Sequence, residues 1–180
     1  GRNALKINPK KTKLLVFSNR PQVWLNNFWP EEMGKSPVPA QSVKSLGLVI
    51  DTNLNMSKQV SNICGSCIGL LRILRKIITF LTRSTLRTVL SALILSRINY
   101  GNSLYLGLIG TSIANLHVIQ NDAARLIARL SRRAHASPVL KELHWLPVTQ
   151  QVQFKTLCIL FKAIHNLAPA FIAHRITAYV

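Results

Sequence analysis

An α+β fold, with a short antiparallel β element followed by a mainly α-helical body of five or six helices, is what three features of the sequence predict. Before Asp51 the apolar residues run in short blocks, and from Ser57 onward they recur at helical spacing. Turn signals bracket the early blocks, Asn8-Pro9 and Ser18-Asn19-Arg20-Pro21 around the first and Gly47 inside the second. Nearly half of the 180 residues are apolar, enough for a core. The division falls so that residues 1–55 carry the β element and residues 56–180 the helices.

Leu14 to Ser18 reads as a short apolar strand, and Val43 to Asp51 (VKSLGLVID) as a second, whose central Gly47 marks a bulge or a close backbone approach. The two are expected to pair as an antiparallel hairpin. Pro21 to Gln41 is loop, with room for one further short strand around Val23 to Phe28. The first helix carries the stripe Val60, Ile63, Cys64, Cys67, Leu71, Leu74 and Ile78. Thr82 or Ser84 caps a second, with Leu86, Val89, Leu90, Leu93 and Ile94 inward and an end near Asn99-Tyr100-Gly101. Ser112 starts a third, whose inner face is Ile113, Leu116, Ile119, Ala123, Leu126, Ile127 and Leu130. Ser137-Pro138 opens a fourth, with Pro at the first helical position, and Leu146-Pro147 closes it. Thr149 opens a fifth, with Val152, Phe154, Leu157, Leu160, Phe161 and Ile164 inward, and Ala168-Pro169 stops it.

The charge is one-sided. Lys and Arg number 23 against Glu31, Glu32, Asp51, Asp122 and Glu142, a formal net charge of +18. Self-repulsion of that size destabilises a fold unless a polyanion relieves it, so nucleic acid or an anionic surface is the expected partner. Chemistry that needs convergent carboxylates around metal ions has almost none to draw on, and no metal site is predicted. Arg72, Arg75, Lys76, Arg83 and Arg87 lie on the first two helices. Arg125, Arg129 and Arg132 share one face of the third, with Arg133 beside them. Such stripes suit a phosphate backbone; the plainer account, a solvated face, loses weight because the sign is uniform.

Cys64-Gly65-Ser66-Cys67 has the spacing of half a zinc site or of a redox pair. No second pair exists and both cysteines fall on an apolar stripe, so core packing is the reading. Three cysteines, Cys158 included, suit no secreted disulfide framework and fit a reducing, intracellular compartment, nucleus or cytoplasm. Among the scattered histidines, a triad reading has one plausible carboxylate orienter, Asp122 beside His117, and one helical turn places the two imperfectly. The uncharged run from Ile98 to Asn121 is long enough to span a bilayer, but its four Asn, three Gly and one Gln make insertion costly. No stable membrane insertion is expected. Gly1-Arg2-Asn3, with neither initiator Met nor secretory signal, reads as entry into the middle of a longer chain.

Asn8-Pro9-Lys10-Lys11-Thr12 leading into Leu14-Leu15-Val16-Phe17, followed by Val43 to Asp51, resembles the stretch of a non-LTR (LINE-type) retrotransposon reverse transcriptase just after its catalytic aspartates. The order downstream is similar: LSRINYGN at Leu95 to Asn102, LHVIQNDAAR at Leu116 to Arg125, and HASPVLKELHWLPV at His135 to Val148. The last block is the most specific, and the resemblance covers nearly the whole chain. It implies the C-terminal part of such an RNA-directed DNA polymerase: the end of the palm in residues 1–55, then a thumb-like helical bundle and a connection in residues 56–180. The palm aspartates that hold Mg2+ in the complete polymerase are not in this sequence, so no cofactor is assigned to the chain. Polymerase activity is not expected from it alone.

The resemblance implies roles for particular residues. Lys11 matches the lysine expected near the incoming triphosphate, where an ammonium stabilises or protonates the leaving pyrophosphate. Leu46, Gly47 and Leu48 match the primer-grip hairpin, and Lys44 flanks it. Arg72, Arg75, Lys76, Arg83, Arg87, Arg125, Arg129, Arg132 and Arg133 become candidates for backbone contacts to RNA, DNA or an RNA–DNA hybrid, insensitive to base sequence. The missing palm and fingers are the implied protein partner. Two other readings stay open: a stand-alone or domesticated basic helical RNA-binding module, and a peripheral protein whose basic amphipathic helices lie on anionic lipid.

Overall fold

The computed structural model describes residues 12–17, 39–108 and 110–176. Lys11, Ser18, Glu31, Glu32 and the strand expected around Val23 to Phe28 lie outside them. The chain divides into two compact units, residues 1–59 and 60–180. Among the described residues it is mostly helical with one two-stranded antiparallel sheet.

In the first unit, β1 (Ser42–Ser45) pairs with β2 (Leu48–Asp51) in the register Ser42↔Asp51, Val43↔Ile50, Lys44↔Val49 and Ser45↔Leu48. The stretch read as one strand is therefore a hairpin in itself. Leu46 and Gly47 both have positive φ, 48° and 84°, the requirement of a two-residue type I′ turn, which matches strand twist. Gly47 is a turn residue and not a bulge. Leu14 to Phe17 is not a strand: among the described residues it is tied to the rest by one backbone bond, from Ala40 N–H to Leu14 O at 2.8 Å. The outward N–H of Val49 donates to the buried Gln59 Oε1 at 3.0 Å, which satisfies a donor that the hairpin leaves on its edge. Asp51 Oδ1 accepts from the N–H groups of Asn53 and Asn55, both at 3.1 Å, and turns the chain toward the next helix.

That helix, α1 (Ser57–Ile77), gives its first three residues to the first unit and the remainder to the second. Its buried stripe is Val60, Ile63, Cys67, Leu71 and Leu74, close to the set the spacing predicts. A 3-10 turn, Ile78–Phe80, follows. Thr82, not Ser84, then caps α2 (Arg83–Leu90) by accepting from the Thr85 N–H. From Leu90 the helix runs on through a π-turn, Ser91–Leu95, where Ser96 N–H reaches back to Ser91 O, into α3 (Ser96–Asn99). The extra residue rotates the stripe, so that Leu90, Ile94, Leu95 and Ile98 are all buried. Gly101 takes the left-handed conformation after α3, and Asn102–Tyr105 forms a second 3-10 turn.

The central helix of this unit is α4 (Gly110–Ile127), with Leu116, Ile119, Ala123, Ala124, Leu126 and Ile127 buried. It packs against α2, the π-turn, α5 (Ser137–Glu142) and α6 (Val148–Ile164). A last short helix, α7 (Ala170–Ala173), touches α6. Buried Gln120 donates to Leu146 O at 2.8 Å and so pins the link between α5 and α6 onto α4.

Three helices end in the same way. Arg129 after α4, His144 after α5 and Asn166 after α6 have φ of 52°, 57° and 56°. Beyond each, a backbone N–H reaches back five residues, from Leu130 to Arg125 O, Trp145 to Leu140 O and Leu167 to Lys162 O. This is the left-handed cap in which Gly is usual. The shared geometry explains much of the LHWLPV block: Leu143 is core, His144 is the left-handed residue, Trp145 folds back on Leu140, and Pro147 precedes the first residue of α6. Replacing His144 by Gly is expected to stabilise the fold by about 0.5–1 kcal/mol, since a Cβ is disfavoured at this φ. Arg129→Gly gains the same backbone relief but loses side-chain contacts described below, and is expected to be neutral or destabilising; urea unfolding followed by circular dichroism separates the two.

The inner face expected for the last long helix is only partly right. Val148, Val152 and Ala163 are buried, whereas Phe154, Leu157, Leu160, Phe161 and Ile164 are exposed. The helix is apolar on two opposite sides, and its small and β-branched side lies against the Asn102–Tyr105 turn and α4. Leu130 is exposed as well, because α4 stops at Ile127.

Candidate nucleic-acid interface

The cations nominated by the sequence separate into two groups. Arg75, Arg83, Arg125 and Arg129 are engaged inside the second unit. Arg75 Nη2 meets Asp122 Oδ2 at 3.2 Å and Arg125 Nη1 meets Asp122 Oδ1 at 3.1 Å, so one carboxylate bridges α1 and α4. Arg125 Nε also donates to Ala134 O at 2.7 Å and holds the loop after α4 in place. Arg83 pairs with Glu142 and joins α2 to α5 at an exposed position. Arg129 donates to Leu81 O at 2.8 Å and Ile78 O at 3.4 Å. Those carbonyls lie where α1 gives way to the 3-10 turn, a favourable place for a cation.

Arg72, Lys76, Arg87, Arg132 and Arg133 are exposed and have no ion-pair partner among the described residues. Arg72 and Lys76 are four apart on one face of α1. Arg132 and Arg133 follow Arg129 closely in sequence, and the bonds from Arg129 to Ile78 and Leu81 bring this loop to the C-terminal end of α1, where Lys76 stands. The expected stripe of Arg125, Arg129 and Arg132 along one helix does not form, because α4 ends at Ile127 and the chain turns left-handed at Arg129. Arg132 and Arg133 stand instead on the loop whose Arg129 is tied to the end of α1. Arg97 on α3 is exposed too and was not nominated; an uncompensated cation carries no mark in a sequence until the acids are placed in space.

In the first unit, Lys44 is exposed on β1, Leu46 stands at the hairpin tip with 88 % of its surface exposed, and Leu48 opens β2.

The residues considered for other chemistry have structural occupations. Burial pushes the Cys64 and Cys67 thiols up from their ordinary value, which works against a reactive thiolate, and Cys67 is fully buried in the α1 stripe. His117 Nε2 lies 2.9 Å from Thr149 Oγ1 and accepts from the Thr149 N–H, joining α4 to the start of α6. Burial lowers its tendency to protonate, as suits an accepting nitrogen. Asp122 is held by Arg75 and Arg125, so the triad orienter is committed elsewhere. Among the described residues no cluster of three or more His, Cys, Asp or Glu is placed to hold a metal ion, and no helix is long and apolar enough to cross a membrane.

The arrangement that results is a helical unit in which four of the nominated arginines are tied to acids or carbonyls and five other nominated cations are exposed without an ion-pair partner among the described residues. Such a set can bind phosphates along a backbone without reading bases. Compared with protein-family models, with curated proteins and with solved structures, the chain gives no match.

Proposed function

We propose that this chain is a template–primer-binding part of a LINE-type reverse transcriptase, spanning the end of the palm and the thumb. The observation that carries the proposal is the ordered run of motifs, from NPKKT through VKSLGLVID to LHWLPV, on a chain whose net charge is +18. In this reading Lys11 belongs beside the triphosphate of the incoming nucleotide. The Leu46-Gly47 tip bears on the primer end, and Gly47 at φ 84° is compatible with close backbone approach. Arg72, Lys76, Arg87, Arg132 and Arg133 hold phosphates of an RNA–DNA hybrid. The chain alone binds and does not polymerise.

Fluorescence anisotropy with a labelled RNA–DNA hybrid, repeated across salt concentrations, tests this. Five neutralised phosphates at about 0.7–0.9 each predict a slope of log K against log salt near −4. A slope near zero, or no binding at low salt, would end the proposal. The stand-alone RNA-binding module is the second reading, and what favours it is that residues 60–180 form a compact unit with its own core and contain five of the nominated cations that are exposed without an ion-pair partner, Lys44 being the exception in the first unit. It predicts equal affinity for single-stranded RNA and hybrid, where a thumb prefers the hybrid.

A further inference from the structure

The outer face of α6 is an uncovered apolar seam. Phe154, Leu157, Phe161 and Ile164 are between 57 % and 61 % exposed. They are spaced three, four and three residues apart, the a/d pattern of a coiled-coil interface, and Leu160, 37 % exposed, widens the stripe on one side. Leu167 and Phe171, just beyond the helix, are also exposed. At about 200 Å² for an aromatic side chain, the exposed parts of Phe154, Phe161 and Phe171 come to roughly 400 Å². That is half of the about 800 Å² per partner that a specific interface takes, and Leu157, Ile164 and Leu167 supply most of the rest.

The positions that flank the seam decide what covers it. An acidic helix would meet Lys or Arg there, and an anionic lipid surface would do the same. The flanking residues are Gln153, Cys158, Leu160 and His165, with no Lys, Arg, Asp or Glu among them. The lysines of α6, Lys155 and Lys162, lie further round the helix, and the Lys155 ammonium is occupied with Asn99 O at 2.8 Å. Neutral flanks are what a strongly basic chain needs in order to meet its own kind, since charged ones would face like charges across the axis.

We infer that α6 pairs with α6 of a second copy of this chain, antiparallel, about a two-fold axis midway between Leu157 and Phe161. This direction sets Leu157 against the copy's Phe161 and Phe154 against the copy's Ile164, one aromatic with one aliphatic side chain in each layer. A parallel pair would stack Phe on Phe and align the helix dipoles. The closed two-fold arrangement is the commonest in soluble oligomers, and it brings the two Cys158 side chains to either side of the axis. Neither the pairing nor its test depends on nucleic-acid binding.

Sedimentation equilibrium of the full chain, freed of nucleic acid and at physiological salt, is expected to show a monomer–dimer equilibrium. Phe161→Glu is expected to raise the dimer dissociation constant on the order of a hundredfold or more while helical content stays unchanged, as a central apolar anchor would. Should that variant unfold, a short bismaleimide applied to the Cys64→Ala chain supplies the second measurement. Cross-linking through Cys158 that disappears in Leu157→Lys supports the dimer. A wild-type chain that stays monomeric, a Phe161→Glu dimer as tight as wild type, or a monomer that floats with phosphatidylserine vesicles only when Phe161 is intact, overturns it.

Discussion

Asp122→Ala is expected to destabilise the helical unit by about 2–3 kcal/mol, more than loss of any other single charge. The carboxylate holds Arg75 and Arg125 at 3.2 and 3.1 Å, and all three side chains are less than a third exposed. An exposed ion pair is worth less than about 1 kcal/mol, whereas breaking a buried one costs about 3–5 kcal/mol because a desolvated charge is left behind. This triad falls between those limits. Arg125 keeps its bond to Ala134 O after the substitution, but among the described residues Arg75 is bonded only to Asp122, and the two guanidiniums then repel. Residues 60–180 contain one other acid, Glu142, which is paired with Arg83, so no carboxylate stands in reserve. Glu142→Ala is the control: its pair is more than half exposed and should cost less than about 1 kcal/mol. Urea unfolding of both variants measures the difference. The Asp122→Ala deficit should shrink at high salt, where the repulsion is screened; a deficit equal to that of Glu142→Ala would show that the triad contributes no more than a surface pair.

The helices were legible in the sequence wherever a helix has one core face. Leu86, Leu90 and Ile94, and later Leu116, Ile119, Ala123 and Ile127, recur at the helical period because solvent takes the other side. In α6 the same period occurs twice on opposite sides, and periodicity cannot say which side is inside. Helix starts were readable from Thr82 and Pro138, whose chemistry is specific to that place. Helix stops were harder. Arg129 and His144 occupy positions where Gly is the usual signal, and tertiary contacts, such as the carbonyls of Ile78 and Leu81 for Arg129, hold them there. The hairpin was misread for a related reason: Leu46-Gly47 is an uncommon two-residue turn, and the apolar Leu46 made Val43 to Asp51 look continuous.

For the candidate site, sequence identified the cations but not their freedom. Whether an arginine is available depends on where a few acids and open carbonyls lie in space. Arg75 and Asp122 are far apart along the chain, and Arg129 finds carbonyls still more remote in sequence. Four of the nominated arginines consequently belong to the scaffold, and Arg132 and Arg133 stand on the loop that follows α4 rather than on a longer helix.

Neutralising the free set together, Arg72→Gln, Lys76→Gln, Arg87→Gln, Arg132→Gln and Arg133→Gln, is therefore expected to remove most hybrid binding and leave the fold intact. With a slope near −4, the wild-type chain should lose roughly 200-fold in affinity between 50 and 200 mM salt, and each lost phosphate contact should flatten the slope by about one unit. The combined variant should be nearly insensitive to salt. Its stability should move little, because exposed substitutions usually fall within about 0.5 kcal/mol each and here each also relieves self-repulsion. Neutralising Arg75 and Arg125 instead should lower stability and affinity together, since those side chains form the platform that positions the free ones. Base sequence should not matter in either case. Anisotropy titrations beside thermal melts distinguish the outcomes. If the five-site variant kept the wild-type slope, the phosphates would have to be held by other cations, such as Arg97 or the lysines of the first unit, and the surface around Arg129 would lose its claim to the template–primer.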